Sequence, residues 1–370
     1  MSDLPEDTLY YNIFSRIPIK SLVRFRCVCK HWREYIDEYI KDPHLAKIHH
    51  AIEEPKPIHI GSIKSYFPFQ QPISILSFLR VTEDTVDGIQ VEEDLSSIFQ
   101  IKRSSIHHPN HKIHGYCNGL ITLKRQPHQF RDIGTTFEVI NPLTKECHEL
   151  PQLKRPNHER IIGQGLGFDD STNTFKMVCL FDDNGSVVHV LGTDSWREIP
   201  QVPLHWIDGE AVYANGRLYW QTRYANYGFQ LVWFDMKKEE FGVIDLPKQT
   251  EGWYHLYYPE LVNLNGELRF VAHYIRHNDR EVVVWILKHD DQWITHCVFK
   301  HHNSYGRVSV LGCWNQDGDL LLLSSHEGFL LFLYRLKSGS FHKLIRPEDE
   351  AKGGEIRMYQ SSLLSIRKWH

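Results

Sequence analysis

Asn215-Gly216-Arg217-Leu218-Tyr219-Trp220 places a turn-forming dipeptide directly before a run of residues that favour β-strands. Asn-Gly favours the positive φ angles of a two-residue hairpin loop, and aromatic residues favour the pleated strand that follows. Similar turns recur at intervals of about 50 residues, at Asn118-Gly119, Asp170–Asn173, Asn265-Gly266 and Asp317-Gly318. The recurrence predicts a β-hairpin that is repeated along most of the chain.

A second set of turns follows the first and completes a four-stranded unit. These turns are Asn141–Lys145, Gly192–Ser195, Asp235–Glu240, His289–Gln292 and Lys337–Ser340. Four strands in about 50 residues is the content of a kelch-like propeller blade. Five such units lie between residues 114 and 346, residues 56–106 are a candidate for a sixth, and Gln360–Ile366 is a candidate closing strand. We therefore expect an all-β domain, a six-bladed kelch-like β-propeller, with a β-sandwich as the alternative fold.

Residues 4–48 have a helical rather than a β pattern. Apolar residues follow helical spacing on both sides of Pro18: Leu9, Ile13, Phe14 and Ile17 before it, and Leu22, Phe25, Cys29, Trp32 and Ile36 in a helix expected from Lys20 to Tyr39. Because this segment is too short to bury a large core alone, we expect it to cap the larger domain or to bind a partner. A helix-turn-helix DNA reader is the third option, and it is disfavoured because the module is nearly neutral.

The helical residues carry a motif in order and spacing: Leu4-Pro5-Glu6-Asp7, then residues 13–22, then residues 24–32. This stretch resembles an F-box. The resemblance implies docking on a Skp-type adaptor, which connects to a cullin and a RING subunit. It assigns seven apolar residues to the adaptor-facing positions: Leu4, Pro5, Ile13, Ile17, Pro18, Leu22 and Val28. It leaves Phe25, Cys29 and Trp32 for the small core of the module.

The β-rich region carries motifs of its own over roughly residues 110–345. They are Gly115–Ile121, Asn141–Thr144, Gly167–Asp169, Phe175–Val178, Ser195–Arg197, Asn215–Trp220 and Phe234–Met236. Their order resembles the plant F-box-associated interaction domain, which captures the protein to be ubiquitinated. The predicted division is an F-box at 1–48, a linker and first blade at 49–109, and an F-box-associated β-propeller domain at 110–370.

Blade geometry predicts which face of such a propeller binds a target. The turns after the first and third strands of each blade share one face, and the longer connections share the other. These longer connections are rich in large amphipathic aromatic residues, which protein interfaces use as anchors. The predicted target-binding residues are His205, Trp206, Tyr224, Tyr227, Trp253, Tyr254, Tyr257 and Tyr258. The alternative is that these rings pack beneath their own loops.

Composition excludes several classes of protein. The chain has 370 residues and a net charge of −4, so no basic bias points to nucleic acid. No segment approaches 18 consecutive apolar residues, so no membrane span is expected, and the acidic start predicts no secretory signal. The seven cysteines include no C-x-x-C pair, which predicts reduced thiols in the cytoplasm or nucleus. Cys27 and Cys29 are expected to be buried thiols within a helix.

No motif for catalysis or cofactor binding is present. The sequence has no G-x-S-x-G, Walker or H-E-x-x-H motif. His107, His108, His111 and His114 are a candidate zinc cluster, but their spacing matches no standard finger. We therefore predict no catalytic residue, no metal and no cofactor.

The two resemblances together imply the substrate-recognition subunit of an SCF-type E3 ubiquitin ligase, which holds an unknown target protein while other subunits carry the chemistry. The alternative from another class is a carbohydrate- or small-molecule-binding propeller without a role in degradation. Glycan binding without a protein partner would favour that alternative. A propeller hydrolase is a further alternative, and the absence of a nucleophile motif argues against it.

Overall fold

The computed structural model of the chain describes residues 5, 7–50, 56–63, 73–84, 88–101, 113–125, 135–153, 160–200, 202, 207, 209–222, 230–247, 256–276, 279–288, 291–315, 317–324, 330–344 and 355–366. The first of these residues form a helical module. Thr8–Ile13 is a π-helix and Phe14–Arg16 a 3₁₀ turn, and they precede α1 (Ile19–Phe25), α2 (Lys30–Tyr39) and α3 (Pro43–His50). Asp42 Oδ1 accepts a hydrogen bond from His44 N at 2.8 Å at the start of α3, where Pro43 loses no helical hydrogen bond.

The continuous helix expected from Lys20 to Tyr39 is wrong, because residues 26–28 form a turn between α1 and α2. Cys29 adopts an extended conformation, with φ −158° and ψ 172°, and its Sγ accepts from Trp32 N at 3.5 Å as the N-cap of α2. Cys27 and Cys29 are both exposed, which corrects the expectation that they are buried thiols and that Cys29 belongs to the core.

The helical module has a small core of its own. Leu9, Phe14, Leu22, Ile36, Tyr39 and Leu45 are buried there, together with Leu363 from the far end of the chain. The Phe14 ring meets the Tyr39 ring edge-on, with centroids 5.6 Å apart. Phe25 and Trp32 are half-buried against this core, as the sequence predicts. Leu363 therefore connects the far end of the chain to the core of this module.

The strands of the described residues form a β-propeller. Among them, five blades are each formed by consecutive strands. Strands are numbered in chain order, and the first three, which lie outside these blades, are β1 (Lys56–Ile63), β2 (Ile73–Asp84) and β3 (Gly88–Ile101). The first blade contains β4 (Ile113–Cys117), β5 (Leu120–Arg125), β6 (Thr136–Asn141) and β7 (Glu146–Glu149). The second contains β8 (Ile161–Asp169), β9 (Thr174–Phe181), β10 (Ser186–Val190) and β11 (Arg197–Ile199).

The short strand β12 (Gly209–Glu210) pairs in parallel with β8 and so adds to the second blade. The third blade contains β13 (Val212–Ala214), β14 (Arg217–Gln221), β15 (Gln230–Asp235) and β16 (Phe241–Asp245). The fourth contains β17 (Leu256–Leu264), β18 (Glu267–Arg276), β19 (Asp279–Leu287) and β20 (Trp293–His302). The fifth contains β21 (Val308–Cys313), β22 (Leu320–Ser324), β23 (Leu330–Arg335) and β24 (Ser340–Leu344).

The hairpin turns predicted from the Asn-Gly dipeptides are confirmed. Asn118, Asn215 and Asn265 have φ angles of 45°, 50° and 54°. In the first blade Cys117 pairs with Leu120, which leaves a loop of Asn118 and Gly119 alone. These turns join the first and second strands of the first, third and fourth blades, as the repeat pattern predicts.

The last sheet combines strands from both ends of the β-domain. Its order is β25-β1-β2-β3, where β25 is Glu355–Tyr359, and Arg357 pairs with Ile58. We call it the closing sheet. Ile356 lies in one apolar cluster with Leu321 of the fifth blade, and Tyr359 lies in another with Ile121 of the first blade. The closing sheet therefore lies between the first and fifth blades and completes the ring.

Two expectations about ring closure are corrected. The structure has five blades formed by consecutive strands, not six, and residues 56–101 pair with the chain end to form the closing sheet. The closing strand is Glu355–Tyr359, whereas residues 360–366 are not a strand. Several backbone groups of residues 360–366 instead bond to side chains of the first blade. The alternative β-sandwich is not observed in the described residues.

Candidate functional site

The helical module exposes an apolar surface. Among the described residues, seven large apolar side chains are exposed, and three of them are Tyr11, Val23 and Val28 of this module. Val28 is the most exposed, at 66%, and it lies in the turn between α1 and α2. These three side chains are the large apolar groups that the described part of the module offers to a partner. Tyr11 and Val23 were not singled out from the sequence, because helical spacing alone does not separate an outward-facing apolar residue from a core residue.

The predicted adaptor-facing residues lie in different environments. Pro5, Pro18 and Val28 are exposed, and Ile13 and Ile17 are half-buried. Leu4 lies outside the described residues. Leu22 is fully buried in the module's core, which corrects the expectation that its side chain lies at the surface. Leu22 is apolar because it belongs to the same buried cluster as Phe14 and Ile36.

The helical module lies against one face of the propeller. This face carries the turns that follow the first and third strands of each blade, and we call it the tight-turn face. Asn173 Nδ2 in the β8–β9 turn donates to Asp42 Oδ1 at 2.8 Å, and Lys47 Nζ donates to Asp170 Oδ1 at 2.5 Å. Leu143 in the β6–β7 turn packs on the module's core. The module therefore covers part of the tight-turn face over the first and second blades.

Residues 360–366 lie between the module and the propeller, and we call them the C-terminal strap. Asn141 Nδ2 donates to Ser362 O at 2.9 Å and to Leu364 O at 2.7 Å. On the other side of the strap, Ser365 N donates to Ile40 O at the end of α2, at 2.9 Å. The strap follows β25 directly, so it connects the closing sheet to both modules.

The opposite face of the propeller carries the other connections between strands, and we call it the loop face. Six of the predicted target-binding residues lie outside the described residues: His205, Trp206, Tyr224, Tyr227, Trp253 and Tyr254. Tyr257 and Tyr258 belong to β17, where Tyr257 pairs with His273 before a bulge. Their role in binding stays a prediction.

A channel runs along the propeller axis and is lined by the inner strands. It encloses a cavity of about 550 Å³, and β4, β13, β17, β21 and β25 all contribute to its wall. Glu260 Oε1 accepts from Arg307 Nε at 3.1 Å and from Ser309 Oγ at 2.7 Å, so this carboxylate ties the fourth blade to the fifth. Arg307 directly precedes β21, and its side chain is 36% exposed. This ion pair therefore lies at the loop-face end of the channel.

A second ion pair in the channel connects β25, near the end of the chain, to β12 of the second blade. Arg357 Nη2 of β25 lies 3.3 Å from Glu210 Oε2 of β12. Glu210 Oε1 is 4.0 Å from His114 Nδ1, and Gln164 Nε2 is 2.7 Å from the same His114 nitrogen. None of these four residues was placed in the channel from the sequence. Contacts between neighbouring blades bring His114, Gln164 and Glu210 together, and ring closure adds Arg357.

His273 lies behind the Glu260–Arg307 pair. Its side chain is 4% exposed, and its Nε2 is 4.0 Å from Glu260 Oε1. Burial lowers the pKa of His273 to about 4, although the carboxylate of Glu260 acts in the opposite direction. The imidazole is therefore neutral at pH 7, and the arrangement is suited to packing the inner strands rather than to proton transfer.

The candidate zinc cluster is not assembled in the part of the chain that the structure describes. His107, His108 and His111 lie outside it, and His114 Nδ1 is within hydrogen-bond distance of Gln164 Nε2. No group of three His, Cys, Asp or Glu side chains among the described residues is placed to hold a metal ion. Within the same residues, no helix is long and apolar enough to cross a membrane.

Comparison with known protein families agrees with this architecture. Residues 1–42 match the model of the F-box domain, and residues 76–353 match the model of the F-box associated beta propeller domain. The chain therefore belongs to the family of F-box proteins that carry a C-terminal F-box-associated β-propeller domain, as the resemblance in the sequence implied. The helical module is its F-box.

Related proteins come from Arabidopsis thaliana. F-box protein At3g07870 is 26% identical over 320 residues, which cover 78% of this chain and 70% of the relative. F-box/kelch-repeat protein At3g23880 is 23% identical over 351 residues, covering 89% of this chain and 87% of the relative. A crystal structure of TolB from Acinetobacter baumannii is similar with a TM-score of 0.45 and 12% identity, covering 82% of this chain and 65% of TolB. The TolB likeness is too distant to carry an argument.

Proposed function

We propose that this protein is the substrate-recognition subunit of an SCF-type E3 ubiquitin ligase. The F-box binds a Skp-type adaptor, through which it joins a cullin and a RING subunit, and the propeller captures a target protein. The observation that carries this proposal is the placement of the F-box on the tight-turn face. With the F-box on that side, the loop face is directed away from the adaptor and is left for a target.

The adaptor-binding surface is centred on Val28. This side chain is 66% exposed, and Val23 and Tyr11 are the other exposed apolar groups of the module. Burying such groups against a partner releases about 25 cal/mol for each Å² of apolar surface. Pro5, Ile13, Ile17 and Pro18 complete the surface as it is expected from the F-box resemblance, whereas Leu22 supports it from within the core.

The chain itself acts without catalytic chemistry. It raises the effective concentration of target lysines near the ubiquitin-loaded conjugating enzyme, and the covalent steps belong to other subunits. The seven cysteines form no disulfides, which is consistent with work in the cytoplasm or nucleus.

Direct binding of a purified Skp-type adaptor to the purified full chain tests the proposal. We expect Val28→Asp to weaken adaptor binding, because a charged group replaces the most exposed apolar residue of the F-box. Val243→Asp is the matched control, since Val243 is an exposed valine on β16 of the propeller, at 38% exposure. Absence of adaptor binding by the unmodified chain would refute the proposal. Leu22→Ala is unsuited to this purpose because it opens a cavity in the F-box core.

A further inference from the structure

The C-terminal strap is buried between two hydrophobic cores. Leu363 is 6% exposed and belongs to the core of the F-box, whereas its neighbour Leu364 is fully buried in the core shared by the first three blades. Ile366 joins Leu364 in the propeller core. Adjacent side chains of one short segment are therefore anchored in different modules.

The backbone of the strap is held by polar side chains of the first blade. Besides the two bonds from Asn141, Glu146 Oε2 accepts from Ile366 N at 2.7 Å, and Glu146 Oε1 accepts from Ser365 Oγ at 3.2 Å. Asn141 and Glu146 are themselves buried. Buried polar groups of this kind need their partners, so the strap and the first blade are fixed in a single register.

The strap also passes very close to the turn between β4 and β5. Gly119 has a φ of 82°, and a Cβ atom added to it would lie 2.2 Å from Ser362 Cβ. Only glycine allows the strap to approach this turn so closely. Tyr359 Oη, at the end of β25, donates to Gly119 O at 3.0 Å and holds the turn from the other side.

Other described polar contacts between the F-box and the propeller are weaker anchors. The Lys47–Asp170 ion pair has side chains that are 35% and 52% exposed, and such surface pairs contribute little. The Asp42–Asn173 hydrogen bond is a single contact. Leu143 of the β6–β7 turn packs on the F-box core, and the strap adds the apolar anchor at Leu363 and the backbone bond from Ser365 to Ile40.

We propose that the C-terminal strap fixes the orientation of the F-box on the propeller. The positioning residues for ubiquitin transfer are then Leu363 and Ser365 of the strap, and Asn141 and Glu146 of the first blade. The part concerning transfer rests on the proposed function. A fixed orientation holds the captured protein at one distance from the conjugating enzyme, so that only a restricted set of lysines is reached. Without the strap, each module keeps its own fold and its own partner, but their relative orientation varies.

A distance measurement between spin labels on the two modules tests the structural part. One label is placed on the native Cys27 of the F-box and the other on Lys237→Cys in the third blade, in a background with Cys29→Ser, Cys147→Ser and Cys297→Ser. We expect a single narrow distance distribution for this parent chain. We expect Leu363→Asp to broaden it and Val243→Asp, the control, to leave it unchanged.

A milder variant covers the case in which Leu363→Asp disturbs folding. Ser365→Pro removes the N–H group that bonds to Ile40 O and the hydroxyl that bonds to Glu146 Oε1, and it leaves the apolar anchors in place. A broader distribution in Ser365→Pro, with circular dichroism and thermal melting of the propeller unchanged, supports the proposal. Distributions that superimpose on the parent in both variants would overturn it. Loss of the propeller fold in both variants would also overturn it, because the strap would then be a folding element rather than a coupling one.

The second readout is the pattern of ubiquitin transfer in a ligase reconstituted from purified subunits. The probe is the chain itself, whose own modified lysines are mapped by mass spectrometry. We expect a restricted set of modified lysines for the parent and a wider set for Ser365→Pro, which leaves the apolar core of the F-box in place, at equal adaptor affinity. An identical pattern would contradict the role in transfer. Failure of the parent to assemble with the adaptor would refute the proposed function, while the spin-label distances would still decide the role of the strap.

Discussion

Lys176 Nζ lies 2.7 Å from Asp169 Oδ2, and this ion pair is buried where the second blade meets the third. The same ammonium group donates to Met236 O at 2.8 Å and to Glu239 Oε1 at 2.9 Å. Burial acts to raise the pKa of Asp169, but hydrogen bonds from Lys176 and from residues 171 and 172 outweigh it and hold the pKa well below 3.8. The carboxylate is therefore charged and fully bonded at the blade junction.

Replacing Lys176 by methionine leaves Asp169 as an uncompensated buried charge. We expect Lys176→Met to lower the free energy of unfolding of the propeller by about 3–5 kcal/mol, the range for breaking one partner of a buried pair. Denaturant unfolding followed by tryptophan fluorescence measures the effect. Lys237→Met, at an exposed site on the tight-turn face, is the control and should change stability little. Equal stabilities of the two variants would show that the Lys176 cluster does not hold the blades together.

The buried His273 predicts a loss of stability in mild acid. Its pKa is about 4 in the folded chain and 6.5 in a solvated one, so the unfolded state binds the proton first as the pH falls. Its contribution to stability is complete above pH 6.5 and is lost progressively as the pH falls towards 4, by about 3 kcal/mol in total. Besides Glu260, the positively charged Arg307 and Arg280 and the nearby His301 influence this group, and all three lower its pKa.

Thermal melting from pH 7 to pH 4 measures this dependence. We expect His273→Gln to melt with a shallower pH dependence than the unmodified chain. His342→Gln, at an exposed histidine of β24, is the control and should keep the full dependence. A His273→Gln variant with an unchanged slope would assign the acid sensitivity to other groups.

The aromatic residues near the start of the fourth blade are predicted to capture the target. We expect simultaneous replacement of Trp253, Tyr254, Tyr257 and Tyr258 by alanine to abolish target capture, because interface energy is concentrated in a few large anchors. Adaptor binding should be unchanged, since the F-box lies on the opposite face. Affinity purification with quantitative mass spectrometry measures both. Lys237→Ala with Lys238→Ala, on the tight-turn face, is the control, and retained capture by the aromatic variant would place the target elsewhere.

Local features of this fold were predictable from sequence, because the chemistry that determines them is local. Asn118-Gly119 predicted its hairpin since both residues adopt positive φ, at 45° and 82°. The closing sheet was harder to predict, because Arg357 pairs with Ile58 across nearly the whole chain and no local pattern encodes that register. Pairings between distant strands depend on the complete ring of blades.

The C-terminal strap shows why an apolar pattern is an incomplete guide. Leu363, Leu364 and Ile366 were interpreted as part of a strand, yet the strap's backbone bonds to the propeller include those from the side chains of Asn141 and Glu146 instead of a strand ladder. On the F-box, the same limitation applies to Leu22 and Val28. Both are apolar and both match the motif, but one is fully buried and the other is 66% exposed. The two differ because Leu22 lies within α1, whereas Val28 lies in the turn at residues 26–28.

Co-purification from plant cells tests the role of this chain as a substrate receptor, with the unmodified chain, Val28→Asp and Val243→Asp each expressed at full length. We expect a Skp-type adaptor and a cullin to accompany the unmodified chain and Val243→Asp, and to be reduced at least about tenfold with Val28→Asp. Target proteins should be enriched with Val28→Asp, because they are captured without being degraded. Recovery of no adaptor with any form, or of equal adaptor with all three, would refute the receptor role.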